Sequence, residues 1–340
     1  MIRPGKTGLV TVLSLCALLP SLALARPDTA QSDGAPSGIP MNLDQVQRAA
    51  EAGDPGAELE LGKACYDGMG VEVDHGAAFG WFMKAARQGV PEAEARVGDM
   101  YANGDSVPRD MAQALDWYQK AAAQNVPEAE YSLGRMYDTG DGVPVNEVTA
   151  FGWYQKAADG GVADAQYNVG LMYDQGQGVA KDYAQAVKWY TKAADAGVAD
   201  AEYNLGMMYD SGDGVAQSDS GALYWLYKAA AKGVRDAQYN MGLKYLNGKG
   251  VTADDHTAFE WFLLAARQGD ATSQYYVAML YGSGRGVARD LSLAYSWAFL
   301  AASAGQPNAT SYLDVLKNAL TDQQKADAIN NADSLVKHAS

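Results

Sequence analysis

The chain has 340 residues and a formal net charge of −15 at pH 7, with 41 acidic against 26 basic residues. This acidic excess argues against binding to nucleic acid or to anionic membrane surfaces, which both need basic patches. Only two cysteines are present, so a disulfide-rich secreted fold is excluded.

Residues 1–25 have the composition of a secretory signal peptide. Arg3 and Lys6 form a basic start, residues 9–19 form an apolar core, and Ala23-Leu24-Ala25 is a cleavage signal. Pro20 interrupts the apolar stretch, which is too short to span a membrane comfortably. We therefore expect cleavage after Ala25 and no membrane span afterwards. Loss of these two basic residues changes the net charge from −15 to −17.

Two short segments precede the main body of the chain. Residues 26–41 are rich in Pro, Ser and Gly and predict a disordered linker. Residues 42–54 predict a lone capping helix, because Ala49-Ala50 and Gly53 repeat the end of the units that follow. The mature chain keeps one cysteine, Cys65, whose role the sequence leaves open.

A tryptophan recurs every 36 residues, which indicates tandem copies of one structural unit rather than a globule. The seven tryptophans are Trp81, Trp117, Trp153, Trp189, Trp225, Trp261 and Trp297. The units are placed at 55–90, 91–126, 127–162, 163–198, 199–234, 235–270 and 271–306.

Each unit is predicted to contain two helices. Pro127 is suited to the first position of a helix, and Gly176 to a left-handed C-terminal cap. Asp182 is a suitable N-cap for the second helix. A glycine inside the first helix, such as Gly170, costs roughly 1 kcal/mol against alanine. Its recurrence suggests that it lets the second helix, with its tryptophan, approach closely.

Residues 307–340 predict C-terminal capping helices and a tail. The stretch 321–338 is polar and prone to form a helix, and we expect it to shield the last apolar face. The array is therefore expected to be all-α, with helical caps at both ends.

The sequence offers little catalytic or metal-binding chemistry. Its three histidines, His75, His256 and His338, are widely separated, and no zinc-ligand spacing occurs. The Ser334-x-x-Lys337 spacing matches that of penicillin-recognising enzymes, but the accompanying motifs are absent. We expect no enzymatic activity, no cofactor and no metal site.

The repeated pattern resembles the Sel-one-like repeat, a relative of the tetratricopeptide repeat. Residues 182–197 (DYAQAVKWYTKAADAG) and 201–215 (AEYNLGMMYDSGDGV) carry this resemblance. It implies a right-handed superhelical solenoid with a role in protein–protein interaction, and it does not identify the partner.

The resemblance also implies that first helices line a concave groove in which a protein or peptide binds. Tyrosine, asparagine and methionine side chains offer aromatic area, amide hydrogen bonds and adaptable thioethers for such a ligand. An alternative is that these residues only bridge adjacent repeats. The candidates are Tyr131, Tyr167, Asn168, Tyr203, Asn204, Met207, Tyr239, Asn240 and Tyr275.

Together these features predict an exported protein-interaction module. The expected setting is the periplasm, with a role as scaffold, adaptor or regulator in the bacterial cell envelope. Two alternatives stay open: a secreted protein that engages host proteins, and a cell-wall or β-lactam hydrolase. The acidic charge either keeps an extended surface soluble or attracts a basic partner.

Overall fold

The computed structural model describes residues 43–336, and all of its regular structure is helical. The predicted signal peptide, the linker, Lys337 and His338 lie outside these residues. The α-helices, in chain order, are α1 Leu43–Glu51, α2 Pro55–Asp67, α3 His75–Arg87, α4 Pro91–Asn103, α5 Met111–Ala123, α6 Pro127–Thr139, α7 Glu147–Asp159, α8 Ala163–Gln175, α9 Tyr183–Asp195, α10 Ala199–Ser211, α11 Asp219–Ala231, α12 Arg235–Asn247, α13 Asp255–Arg267, α14 Ala271–Ser283, α15 Leu291–Ser303, α16 Ala309–Lys317 and α17 Asp322–Ala332.

Packing follows the order of the chain. From α1 to α16, each helix packs mainly against the helix before it and the helix after it. Even-numbered helices from α2 to α14 are the first helices of the seven units, and odd-numbered helices from α3 to α15 are the second helices. Contacts between neighbours only are the property of a solenoid. The predicted fold class, an all-α solenoid of helical hairpins with helical caps, is confirmed.

Local signals place the ends of the helices. The α8 helix stops at Gly176, whose φ of 76° is left-handed and therefore suits a residue without a Cβ. The Asp182 carboxylate then accepts hydrogen bonds from the backbone N–H groups of Ala184 and Gln185, at 2.9 and 3.0 Å. Both caps agree with the sequence prediction.

The glycine inside the first helix lies against the second helix of the same unit. A Cβ on Gly170 would lie 2.7 Å from the ring of Tyr190, the residue that follows Trp189. The glycine therefore lets the second helix approach closely, as expected, and the side chain that packs against it is the one after the tryptophan. In the seventh unit the glycine becomes Ala278, and the position after the tryptophan is the small Ala298. The volume lost on one helix compensates for the volume added on the other.

The tryptophans are not uniformly core residues. Trp189 and Trp297 are buried, whereas Trp81, Trp153, Trp225 and Trp261 are only half-buried. In the first five units, a lysine three residues later places its ammonium group over the ring. The Lys192 ammonium, for example, lies 3.7 Å from the centroid of the Trp189 ring. These cation–π contacts cover the outer side of the second helices.

Helices cover both ends of the described array. At one end α1 packs against α2 and buries Ala50. At the other, α16 and α17 both pack against α15, and Ala328 and Ala332 of α17 are buried. The Ser296 hydroxyl of α15 donates a hydrogen bond to the Ala328 carbonyl at 2.8 Å. A short 3-10 helix, Asp333–Leu335, follows α17.

Within residues 43–336, no helix is both long enough and apolar enough to cross a bilayer.

Candidate interaction surface on the first helices

The predicted groove residues share one face of consecutive first helices. All of them are half-buried, so each side chain has both a packed part and an accessible part. We call this set the first-helix surface. It comprises Tyr131 of α6, Tyr167 and Asn168 of α8, Tyr203, Asn204 and Met207 of α10, Tyr239 and Asn240 of α12, and Tyr275 of α14.

These side chains contact one another across neighbouring units. Burial raises the pKa of Tyr167, and so does the nearby Asp200, while the Asn204 amide of the next unit lowers it through a hydrogen bond. Likewise, the Asn240 amide donates to the Met207 thioether at 3.6 Å. The surface therefore connects the repeats, as the structural alternative expects. That it also contacts a ligand stays a prediction.

In the third and fourth units, a tyrosine of the second helix packs against the tyrosine of the first-helix surface. The ring of Tyr131 lies 5.7 Å from that of Tyr154, and the ring of Tyr167 lies 5.9 Å from that of Tyr190. Tilted aromatic pairs at such distances are favourable. The tyrosines are consequently held in place before any partner arrives, which lowers the entropic cost of binding.

The surface changes in the seventh unit, where an aromatic residue replaces the asparagine. Tyr276 stands where asparagine stands in the three preceding units, and its ring stacks on Phe262 with centroids 4.6 Å apart. Tyr275 makes an edge contact with Tyr312 of α16, 6.0 Å away. The row of polar amides thus ends in an aromatic cluster beside the C-terminal cap.

The first helices α6 and α8 each carry an aspartate near the C-terminal end, Asp138 and Asp174. The hydroxyl groups of Tyr154 and Tyr190 donate to Asp138 and Asp174, at 3.2 and 3.3 Å. Burial raises the pKa of both tyrosines, and the neighbouring carboxylate raises it further. These phenols therefore stay protonated and act as hydrogen-bond donors.

The fifth unit departs from this arrangement. Leu226 replaces the tyrosine, and Asp210 instead accepts from the ammonium groups of Lys244 and Lys249, both at 2.8 Å. Lys244 is only 4 % exposed and occupies a position that is methionine in four earlier units. Despite the opposing effect of burial, the two lysines hold the pKa of Asp210 below its usual value. The sequence analysis did not predict this ion pair.

The sequence analysis did not predict a row of buried polar side chains, one in each unit, which we call the ladder. Its members occupy the fourth position of each first helix, and all are almost inaccessible. Gln124 donates to Glu94 at 2.8 Å, and the Gln166 amide donates to the Ala158 carbonyl at 3.2 Å. The sequence signal was a polar residue at a core position in every unit. The ladder is Glu58, Glu94, Glu130, Gln166, Glu202, Gln238 and Gln274.

Two adjoining clefts open along the first three units, and none of the predicted residues lines them. The larger has a volume of about 420 Å³, and Asp99, Arg109 and Arg135 are among the residues that line it. The smaller, of about 210 Å³, shares Asp99 and adds Arg96. Burial raises the pKa of Asp99, and the hydrogen bond that it accepts from Tyr118 offsets only part of this rise. These clefts are polar and contain charges of both signs.

The residues considered for chemistry lie apart from one another. His75 contacts the Asp105 carboxylate at 2.8 Å, and His256 contacts the Gly286 carbonyl. Ser334 donates to the Asn331 carbonyl at 2.6 Å. Cys65 is a buried free thiol, and burial raises its pKa. Within residues 43–336, no group of acidic, histidine or cysteine side chains could hold a metal ion.

Comparison with known proteins agrees with the architecture. The family profile described as Sel1 repeat matches seven segments, 55–90, 91–126, 127–162, 163–198, 199–234, 235–270 and 271–306. A search of curated proteins gave no match. Sel1 repeat proteins generally mediate protein–protein interaction, and their fold is a non-catalytic interaction scaffold.

Two solved structures are similar over most of the chain. One is c5321, described as a protective antigen of uropathogenic Escherichia coli with an SLR fold: it is 33 % identical with a TM-score of 0.68, covering 86 % of this chain and 72 % of that one. The other is a Sel1 repeat protein of Oxalobacter formigenes, 37 % identical with a TM-score of 0.63, covering 81 % and 79 %. The chain therefore belongs to the Sel1 repeat family.

Proposed function

We propose that this protein is an exported, non-enzymatic binding module that recognises a protein or peptide on its first-helix surface. It acts as a scaffold, adaptor or regulator in the bacterial cell envelope. The observation that carries the proposal is the row of half-exposed tyrosine, asparagine and methionine side chains on consecutive first helices. Such a row offers preordered aromatic area and amide groups along an extended path.

Binding is tested by capture from envelope extract with the mature chain as bait. The Tyr203→Ala/Asn204→Ala variant is expected to lose the captured partner, while circular dichroism shows unchanged helix content. The matched control is Tyr224→Ala, because Tyr224 belongs to the same unit, is 54 % exposed and lies on a second helix. Undiminished capture by the double variant would remove the binding surface from the proposal.

Export is supported by the basic, apolar and Ala-x-Ala order of residues 1–25. Expression of the full chain in a Gram-negative host should give a mature product that begins at Arg26 and is released with the periplasm. Intact mass and osmotic-shock fractionation measure both properties. An uncleaved product that stays in the cytoplasm would contradict export.

A second candidate is a secreted or surface protein that engages host proteins. The observation in its favour is the likeness to the structure described as a protective antigen of uropathogenic Escherichia coli. The same fractionation separates the two settings, because this candidate predicts the mature chain in the culture medium.

The hydrolase alternative has no support from the position of Ser334, whose hydroxyl donates to the Asn331 carbonyl at the end of α17. No turnover of a chromogenic β-lactam is expected from the wild-type chain. Turnover that Ser334→Ala abolishes would revive this alternative.

A further inference from the structure

The two adjoining clefts contain arginine side chains at positions that belong to the same repeated row as the first-helix surface. Arg96 of α4 stands two periods before Asn168, and Arg135 of α6 stands two periods before Met207. Arg135 lines the larger cleft, and Arg96 lines the smaller one. Where later units place an amide and a thioether, the second and third units therefore place guanidinium groups.

These two guanidinium groups carry uncompensated charge. Both side chains are exposed, and no carboxylate oxygen of residues 43–336 lies within 4 Å of either. The chain has 41 acidic against 26 basic residues, so acidic groups are plentiful elsewhere in it. Arg96 and Arg135 are thus available to pair with a group from outside.

Each of the other charged side chains that line the clefts has a partner within the protein. The pairs are Arg109 with Asp141, Asp105 with His75 at 2.8 Å, and Asp99 with the Tyr118 hydroxyl at 2.8 Å. Asp99 and Asn103 line both clefts, which makes the two a continuous polar surface. The charges that this surface offers to a ligand are therefore mainly the two arginines.

The chemistry of the clefts fits a carboxylate. A guanidinium group binds a carboxylate through two parallel N–H···O bonds. A phosphate group carries up to about two negative charges, so Asp99 and Asp141 would repel it more strongly than a carboxylate with one. We propose that the two clefts bind carboxylate groups of the partner, held by Arg96 and Arg135. This rests on the proposed function, and it names the chemical group that the partner presents to the second and third units.

The size of the larger cleft agrees with a ligand of this kind. Its volume of about 420 Å³ lies within the range of roughly 300–1,000 Å³ that is usual for ligand pockets. Met111 and Met136 also line it, so an aliphatic chain that carries the carboxylate has apolar surface to contact. A peptide can supply the carboxylate either from an acidic side chain or from its C-terminus.

The test uses isothermal titration calorimetry with the mature chain and unlabelled, N-acetylated peptides of alanine and serine. The first peptide has a central glutamate and a free C-terminus, and the second has glutamate and a C-terminal amide. The third has glutamine and a free C-terminus, and the fourth has glutamine and an amide, so it carries no carboxylate. The first peptide should bind at least about tenfold more tightly than the fourth.

The second and third peptides show whether the side chain or the chain end supplies the carboxylate. Equal affinity of the first and fourth peptides, or no binding of any peptide at about 1 mM, would overturn the proposal. A further peptide with phosphoserine in place of glutamate should bind no more tightly than the first. Tighter binding of the phosphopeptide would assign the clefts to phosphate and refute the carboxylate.

Variants connect the affinity to the clefts. Arg96→Gln/Arg135→Gln should reduce the affinity for the first peptide to that for the fourth, with unchanged helix content by circular dichroism. The control Arg87→Gln/Arg267→Gln removes two exposed positive charges from the ends of two second helices and should change the affinity less than about twofold. Equal losses in both variants would show non-specific attraction and refute the site.

The inference can fail independently of the proposed function. If the captured envelope partner requires Tyr203 and Asn204 but binds Arg96→Gln/Arg135→Gln as well as wild type, the carboxylate site is wrong and the binding surface stands. If capture is indifferent to Tyr203→Ala/Asn204→Ala, the proposed function itself fails.

Discussion

Replacing Glu130 by glutamine should stabilise the solenoid, because this buried carboxylate lacks the partners its equivalents have. Glu130 is 5 % exposed, and its side chain makes no hydrogen bond within residues 43–336. The equivalent Glu94 accepts from Gln124, but Gly160 stands where the third unit would need that glutamine. Burial accordingly raises the pKa of Glu130, and the positive charge of Lys156 offsets only part of this rise.

The equivalent position in the next unit indicates how much stability Glu130→Gln should add. There Gln166 occupies the same position, and its amide donates to the Ala158 carbonyl at 3.2 Å. Glu130→Gln should form the corresponding bond to the carbonyl of Ala122, 36 residues earlier. One net hydrogen bond contributes about 1 kcal/mol, and relief of the buried charge adds to it at pH 7. A gain of this size corresponds to a rise in Tm of about 2 °C.

The pH dependence follows from the sign of the pKa shift. A carboxyl group whose pKa is raised by folding stabilises the wild-type chain fully below its unfolded pKa, and this stability is lost as the pH rises through the folded pKa. The advantage of Glu130→Gln should therefore be largest at pH 7 and shrink toward pH 4. Differential scanning fluorimetry over this range measures it.

The control applies the same substitution at the same position two units later. Glu202 is fully buried and pairs with Lys228 at 3.1 Å and Lys232 at 2.9 Å. Glu202→Gln should therefore lower Tm, since it leaves two ammonium groups without their counter-charge. If both substitutions shift Tm in the same direction, or if Glu130→Gln lowers it at pH 7, the reasoning is refuted.

Two further predictions concern a glycine inside a first helix and the buried ion pair of the fifth and sixth units. Gly170→Ala should destabilise the folded chain by about 1–3 kcal/mol, because its Cβ would meet an aromatic ring at 2.7 Å. Gly152→Ala is the control, because a Cβ at that position meets nothing within 4 Å. This variant should stabilise the folded chain by up to about 1 kcal/mol. A loss at both glycines on urea unfolding would contradict this account. Lys244→Met should lower Tm by removing the buried partner of Asp210, and Leu226→Tyr in the same chain should recover part of the loss by supplying a hydroxyl donor. Additive effects in this double-mutant cycle would show that the two positions are not coupled.

The array of helical pairs could be predicted from the sequence because local signals determine it. Caps such as Asp182 and Gly176 act on backbone groups within a few residues, and the 36-residue period repeats them seven times. The predicted surface residues also fell on consecutive first helices, since a repeated position must recur on the same face of the stack.

Sequence by itself therefore determined the repeat, its two helices and the half-buried row of tyrosines and asparagines. Tertiary structure alone decided which side chains meet across units: Asn240 with Met207, and Asp210 with Lys244. These pairs are separated by 33 and 34 residues, so their contacts depend on how one hairpin stacks on the next. Periodicity within a unit identifies the packed faces, but only the stacking of whole units brings together the groups that a partner would meet.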